Sequence, residues 1–143
     1  MAEDSSPIPF TSTPFPQDLM FLDERIIEHN LAITAIADYA PMTAILRDHQ
    51  GVIVAGVHGW TWGGAAELTH LWVHPRMRRQ RVGTRLLNAA ETLASSRGSS
   101  QIIFEAFDFG PLPMFFGRGY TKTFAVDGYP RGHQKIYLRK PLA

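Results

Sequence analysis

The sequence predicts a single α/β (α+β) domain built around one mixed β-sheet, and three observations carry that prediction. Short β-type runs and helical stretches follow one another in the order helix, three strands, helix, strand, short helix, two strands, which suits helices packed on a mixed sheet. The strongest helical stretch, Val82 to Ser96, is separated from the preceding strand only by a basic loop. At 143 residues, with 45% hydrophobic and 19% charged side chains, the chain has the balance of one ordinary globular core.

The first sixteen residues hold Pro7, Pro9, Pro14 and Pro16, which cannot propagate a helix. Residues 1–16 are therefore expected to be a flexible lead-in, with a short edge strand around Ile8 to Phe10, and residues 17–143 the domain proper. From Gln17 to Leu31, Leu19, Leu22, Ile26 and Ile27 recur at helical spacing, with charges at Asp23, Glu24 and Arg25. Met42 to Asp48 and Val52 to Val57 flank the turn His49-Gln50-Gly51 and predict a hairpin. Gly59, Gly63 and Gly64 bracket Trp60 and Trp62 and suggest a second turn. Ala66 to His74 reads as a strand stopped by Pro75. In the helix from Val82, residues Val82, Leu86, Leu87, Ala90, Leu93 and Ala94 share a face, and Gly98 stands where a left-handed C-terminal residue belongs. Ile102 to Phe107 is a β-run. Pro111 and Pro113 interrupt the chain before the apolar Met114 to Phe116. Strands then start at Gly119-Tyr120 and run through Lys135 to Arg139.

Composition also excludes several functions. A formal net charge of +1 offers no global attraction to nucleic acid or membrane, so electrostatic function must come from local clustering. With no cysteine, disulfides, thiolate zinc sites and a cysteine nucleophile are ruled out. The six histidines show no paired metal-ligand spacing, so no metal site is expected. No apolar run reaches the ~20 residues of a membrane span, and the N-terminus lacks the basic start and apolar run of a signal peptide. The expected location is the cytoplasm.

Local clustering occurs between Pro75 and Val82, in Arg76-Met-Arg-Arg-Gln-Arg81. A strand that feeds a loop opening a helix leaves unpaired backbone N–H groups at the helix start. With the helix dipole, they form an anion site whose common occupant is phosphate. Gly83 lets a ligand approach the backbone, and Arg76, Arg78, Arg79, Arg81 and Arg85 supply positive charge. Taken alone, the cluster reads as a site for a phosphate-containing ligand, as a solvated basic face, or as a nucleic-acid patch.

The stretch Val73-His-Pro-Arg-Met-Arg-Arg-Gln-Arg-Val-Gly-Thr-Arg-Leu-Leu87 resembles the acetyl-CoA-binding motif of the GNAT acetyltransferase superfamily, Val-x-Pro-x-x-[Gln/Arg]-x-x-Gly-x-[Gly/Ala] followed by an apolar helix. Arg78 fills the Gln/Arg position, Gly83 the last small position, and Arg81 replaces the middle glycine. Leu71-Trp72-Val73 resembles the family strand whose backbone pairs with the pantetheine arm. Met114 to Tyr120 resembles the Phe-Tyr-x-x-x-Gly-Phe segment. Tyr129-Pro-Arg-Gly-His133 and Tyr137-Leu-Arg-Lys-Pro-Leu142 resemble the ending of one bacterial GNAT subgroup. The similarity spans Asp23 to Leu142.

The resemblance implies an acetyl-CoA-dependent N-acetyltransferase without a metal. Acetyl-CoA would lie on Leu71, Trp72, Val73, Arg78, Arg79, Gln80, Arg81, Val82, Gly83 and Thr84. The implied acceptor is a small-molecule primary amine, with no nucleic-acid or membrane partner, and the reading leaves room for a homodimer. Two alternatives stand beside it: a protein lysine or N-terminal acetyltransferase, and a non-catalytic acyl-CoA-binding module.

Acetyl transfer to an amine needs a proton acceptor, oxyanion stabilisation and a proton for the leaving thiolate. Strict alternation places Glu67, Thr69, Leu71 and Val73 on one face of their strand, making Glu67 the candidate base. The N–H of Val73 is the candidate oxyanion donor, and His133 the alternative group at the acceptor side. The family's acid is often a tyrosine in the Phe-Tyr segment, where this chain has Phe115 and Phe116. Tyr120, Tyr129 and Tyr137 are then the remaining tyrosine candidates, and water the other route. Trp60 and Trp62 would offer a surface to an apolar or aromatic amine.

Overall fold

The computed structural model describes residues 4–143. The described residues divide into two compact units, one ending at Ile36 and one running from Ala37 to Ala143.

The first unit contains helix α1, Pro16–Thr34. Pro16 stands at the helix start, where its missing N–H costs nothing, and Ala35 closes the helix in the left-handed conformation at φ 58°. The predicted helical repeat is thus present, although none of the helix's residues is buried. Ile8 to Phe10 forms no strand, because that segment has no ladder partner.

The second unit is a mixed six-stranded sheet in the order β1-β2-β3-β4-β6-β5. Strand β1 spans Ala40–Arg47, β2 Ile53–Trp62 and β3 Ala65–Val73. A 3-10 turn at Pro75–Met77 leads through the basic loop to α2, Val82–Ser96. Then come β4 (Gln101–Phe107), the short α3 (Leu112–Gly117), β5 (Thr121–Asp127) and β6 (Gln134–Pro141). All neighbours pair antiparallel except β3 and β4, which are parallel and joined by the α2 crossover.

The second predicted turn moves. Strand β2 continues through Gly59, Trp60 and Trp62, and only Gly63 and Gly64 turn the chain, both at positive φ. Trp60 and Trp62 therefore belong to a strand.

The core lies on one face of the sheet, under α2 and α3. Ala55, Val57, Ala66, Leu68, Ile102, Phe104, Ile136 and Leu138 meet Val82, Leu86, Leu87, Ala90, Ala94 and Phe115 there. One predicted member of the α2 face differs: Leu93 is 37% exposed, while Glu91 is buried. Glu91 is not an isolated charge. Its carboxylate accepts from Arg118 at 2.9 Å and also pairs with Lys140, which ties α2 to the end of α3 and to β6.

The opposite, outer face of the sheet carries His58, Trp60, Glu67, His70, Trp72, Glu105, Lys135 and Tyr137, which alternate with the core residues or, in β3, follow the break described below.

Candidate active site

The site begins with an irregularity in β3. Gly59 pairs with Leu68 and His58 with His70, so Thr69 is an extra residue opposite the β2 ladder. Such a bulge needs room for the backbone. A Cβ on Gly59 would lie 1.9 Å from the Glu67 carbonyl oxygen, a distance no side chain tolerates.

The bulge resets the alternation of the strand. Ala66 and Leu68 face the core before it, and Leu71 and Val73 pack against the core after it. Glu67 consequently points to the outer face, opposite to Leu71 and Val73. Strict alternation had put these three on one face, and the inserted residue is the reason they part.

The bulge also marks where β3 leaves β4. Their parallel ladder runs only from Ala65↔Gln101 to Leu68↔Phe104, although both strands continue beyond it. The N–H of His74 donates to Val54 O at 2.7 Å, toward β2. Because successive peptide groups alternate edges, the N–H groups of Leu71 and Val73 point into the gap left by β4.

That gap opens into a cavity of about 690 Å³ lined by Leu71, Trp72 and Val73, the loop from Met77, the first turn of α2, and Phe109 to Pro111 with Met114. The side chain of Arg78 donates its Nε to Val73 O at 3.0 Å, pinning the loop to the free strand edge. His74 accepts from Arg76 N at 3.0 Å and so caps the 3-10 turn. Arg79 and Arg81 both adopt the left-handed conformation at φ 61°. Arg81 thus keeps the backbone shape for which the family motif uses glycine, and it forms the N-cap of α2. No side chain caps that helix start, while Val82, Gly83 and Thr84 all line the cavity. Their orphan N–H groups and the positive end of the dipole suit a phosphate.

Of the residues expected to hold acetyl-CoA, Leu71, Trp72, Val73, Arg78, Arg79, Arg81, Val82, Gly83 and Thr84 are brought together around this cavity. Gln80 is not among the lining residues; its side chain turns back to donate to Arg76 O at 3.1 Å and braces the loop. Glu67 and His133 also lie outside the lining. The sequence reading missed Met77, Phe109, Gly110, Pro111 and Met114. Pro111 and Pro113 signal a break in the chain, but nothing local shows that the break returns to β3.

Glu67 lies on the outer face beside the gap. Partial burial raises its pKa, and the negative charge of Glu105 raises it further. Glu105 itself pairs with Lys135 at 3.0 Å, and the Lys135 ammonium lies 5.2 Å from the Tyr129 ring centre and 5.6 Å from that of Tyr137. His133 Nδ1 meets Asp108 Oδ1 at 2.9 Å, while Asp108 Oδ2 accepts from Gln134 N at 3.0 Å. An ionised carboxylate only accepts, so Nδ1 is the donor in that pair. Asp108 carries no motif signal and was not singled out from sequence.

Tyrosine at the cavity is accounted for plainly. Phe115 is fully buried, with its ring 4.6 Å from Phe104 and 5.2 Å from Tyr120. Tyr120 is buried too, and burial together with the Glu91 charge holds its hydroxyl well above the usual tyrosine range. Neither lines the cavity. Among the described residues no cluster of three or more His, Cys, Asp or Glu could hold a metal, and no helix is long and apolar enough to cross a membrane.

β3 thus splays from β4 at a bulge, and an uncapped helix start stands beside the opening. Residues 7–109 match the model of the acetyltransferase (GNAT) family, and the chain belongs to that family. Its fold is shared with an acetyltransferase from Bacillus cereus at 21% identity and a TM-score of 0.74, covering 94% of this chain and 98% of the other. It is also shared with nourseothricin acetyltransferase (21%, 0.62, covering 72% and 66%). The ribosomal-protein-S18-alanine N-acetyltransferase of Escherichia coli is similar at 17% identity and a TM-score of 0.65, covering 72% and 70%. At these identities the likeness is one of fold. No curated protein matches the chain.

Proposed function

We propose that this protein transfers the acetyl group of acetyl-CoA directly to the primary amine of a small molecule, in a complex holding both substrates. The observation that carries the reading is the free edge of β3. Leu71 and Val73 present N–H groups to a cavity that ends on the uncapped start of α2, so one continuous surface offers hydrogen bonds to a pantetheine arm and an anion site to a pyrophosphate. The fit is chemical as well as geometric, since the loop adds the guanidinium groups of Arg79 and Arg81.

Acetyl-CoA supplies an activated acyl group. The chain's own residues do the rest. The Val73 N–H donates to the thioester carbonyl oxygen as negative charge grows there. Glu67, whose pKa is raised by burial and by the Glu105 charge, takes the ammonium proton through water and leaves the amine lone pair free to attack. As the C–S bond breaks, the attacking nitrogen gives up its extra proton to water and water delivers a proton to the departing sulfur, because the tyrosine and phenylalanines of the Met114 to Tyr120 segment give no donor at the cavity. The same fold serves a nourseothricin acetyltransferase and a ribosomal-protein-S18-alanine N-acetyltransferase among the similar structures. A small acceptor is favoured here by the apolar groove on the outer face, which is lined by Ile45, Ile53, Gly56, His58, His70 and Trp72. The transferase would act as a soluble cytoplasmic enzyme.

The test measures melting temperature with acetyl-CoA, CoA, adenosine and acetate, and then follows thiol release with a panel of amines. Acetyl-CoA and CoA should raise the melting temperature by mass action, adenosine and acetate should not, and an amine should be required for thiol release. Absence of any shift with acetyl-CoA would sink the proposal, whereas a shift without turnover on any amine would mark an acyl-CoA-binding module.

A further inference from the structure

A second cavity lies on the outer face of the sheet, across β1, β2 and β3. It measures about 370 Å³ and is lined by Ile45, Ile53, Gly56, His58, His70 and Trp72. Trp72 also lines the acetyl-CoA cavity, so the two spaces share a wall. The walls of the groove are aliphatic and aromatic, and no Asp, Glu, Lys or Arg contributes to them. Its two imidazoles are each engaged at Nδ1 by a threonine hydroxyl: His58 with Thr43 at 2.6 Å and His70 with Thr69 at 2.7 Å. Their rings lie 5.8 Å apart, tilted against each other along the groove floor. Ile45 packs over Gly56, so a Cβ there would stand 2.9 Å from Ile45 Cδ1 and push that side chain into the groove.

Resting on the transferase reading above, we propose that this groove is the acceptor compartment, holding the uncharged hydrophobic body of an aromatic or branched aliphatic primary amine. A charged body would lose its hydration among these walls without gaining a partner. The amine end has one in Glu67, on the same face across the bulge. Glu67 and His70 stand opposite Trp60 and His58, two positions apart on β2, so about 7 Å at about 3.3 Å per residue separates them, the reach of a small arylalkylamine. The body thus lies beside His70 and Trp72 while the nitrogen points along the outer face toward Glu67, at the end of the β3–β4 ladder where the gap opens.

The experiment compares 2-phenylethylamine, spermidine, glycinamide and a short peptide with a free N-terminus as acceptors. Phenylethylamine should show the highest kcat/KM, by about tenfold or more. Gly56→Val and Ile45→Trp both fill the groove. Each should raise KM for phenylethylamine about tenfold, leave the melting shift with acetyl-CoA unchanged, and spare kcat/KM for glycinamide, which has no body to place. If Gly56→Val does not fold, Ile45→Trp decides, because Ile45 is 46% exposed and tolerates a larger ring. A flat panel, a preference for spermidine or the peptide, or an unchanged KM in the filled variants would overturn the inference while acetyl-CoA still binds. Loss of acetyl-CoA binding by the wild-type protein would instead remove the transferase reading on which it rests.

Discussion

The two halves of β3 have opposite tasks. Ala65 to Leu68 is bound on both edges, to β2 and to β4, and its apolar residues are buried. Leu71 to Val73 is bound only to β2 and gives its other edge to the cavity. Hydropathy does not distinguish them. What differs is the extra residue at Thr69, which leaves one edge of the strand open to the cavity and sends Glu67 to the outer face. A binding edge in the middle of a sheet requires that the neighbouring strand be held away, and here the α2 crossover and the Phe109 to Pro111 loop frame the opening.

The sharpest way to break this comparison is Glu67→Gln. If Glu67 relays the amine proton, kcat should fall by about 10²–10⁴-fold with the acetyl-CoA melting shift intact, and raising the pH should recover part of the loss. Because Glu67 has a raised folded pKa, the native state binds its proton more tightly than the unfolded chain. Its ionisation therefore opposes folding as pH rises from the ordinary carboxylate range through the raised value. The glutamine variant should melt higher than wild type at neutral pH, and the difference should vanish in acid, below the ordinary range. Full activity in Glu67→Gln at pH 7 would reduce Glu67 to a surface carboxylate of β3.

Gly59→Val tests the bulge itself. A Cβ 1.9 Å from the Glu67 carbonyl cannot be accommodated, so the variant should lose about 3 kcal/mol or more in chemical denaturation. Whatever folded fraction remains should lose amine-dependent thiol release before it loses the sheet. A near-wild-type Gly59→Val would mean that the bulge is not what shapes the edge.

Gly83→Glu separates the anion site from the strand edge. The carboxylate would enter the cavity at the first turn of α2 and oppose the phosphates, weakening acetyl-CoA by several kcal/mol, over about 100-fold in affinity. The melting shift with acetyl-CoA should disappear, with the fold retained. Normal binding would move the phosphate site elsewhere.

The smallest effect is expected at Arg81. Glycine carries no penalty at φ 61°, so Arg81→Gly should gain about 0.5–1 kcal/mol in stability, the left-handed cost offset in part by glycine's freedom in the unfolded chain. Acetyl-CoA affinity should stay within about threefold if the backbone amides hold the phosphates. A tenfold loss in isothermal titration would show that the Arg81 guanidinium is itself a phosphate ligand.

Sequence by itself determined the parts whose physics is local. The α2 boundaries were legible because an amphipathic repeat ends on Ser96 with Gly98 at φ 84° behind it. The loop from Arg78 to Thr84 was legible because a strand, a basic loop and a helix start are consecutive in the chain, and a helix start exposes N–H groups wherever it lies. The hairpin of β1 and β2 followed from adjacent runs and one turn. Tertiary structure alone decided which face Glu67 occupies, since one inserted residue at Thr69 inverts everything upstream and leaves no mark in the alternation. An interior Gly59 was the available signal, but its meaning depends on the Glu67 carbonyl in the neighbouring strand. The same holds for Asp108 with His133 and for Phe109 with His133, which lie 25 and 24 positions apart along the chain (133 − 108 and 133 − 109). Contacts of that separation are set by where β4 and β6 are placed in the sheet, and no local propensity encodes it.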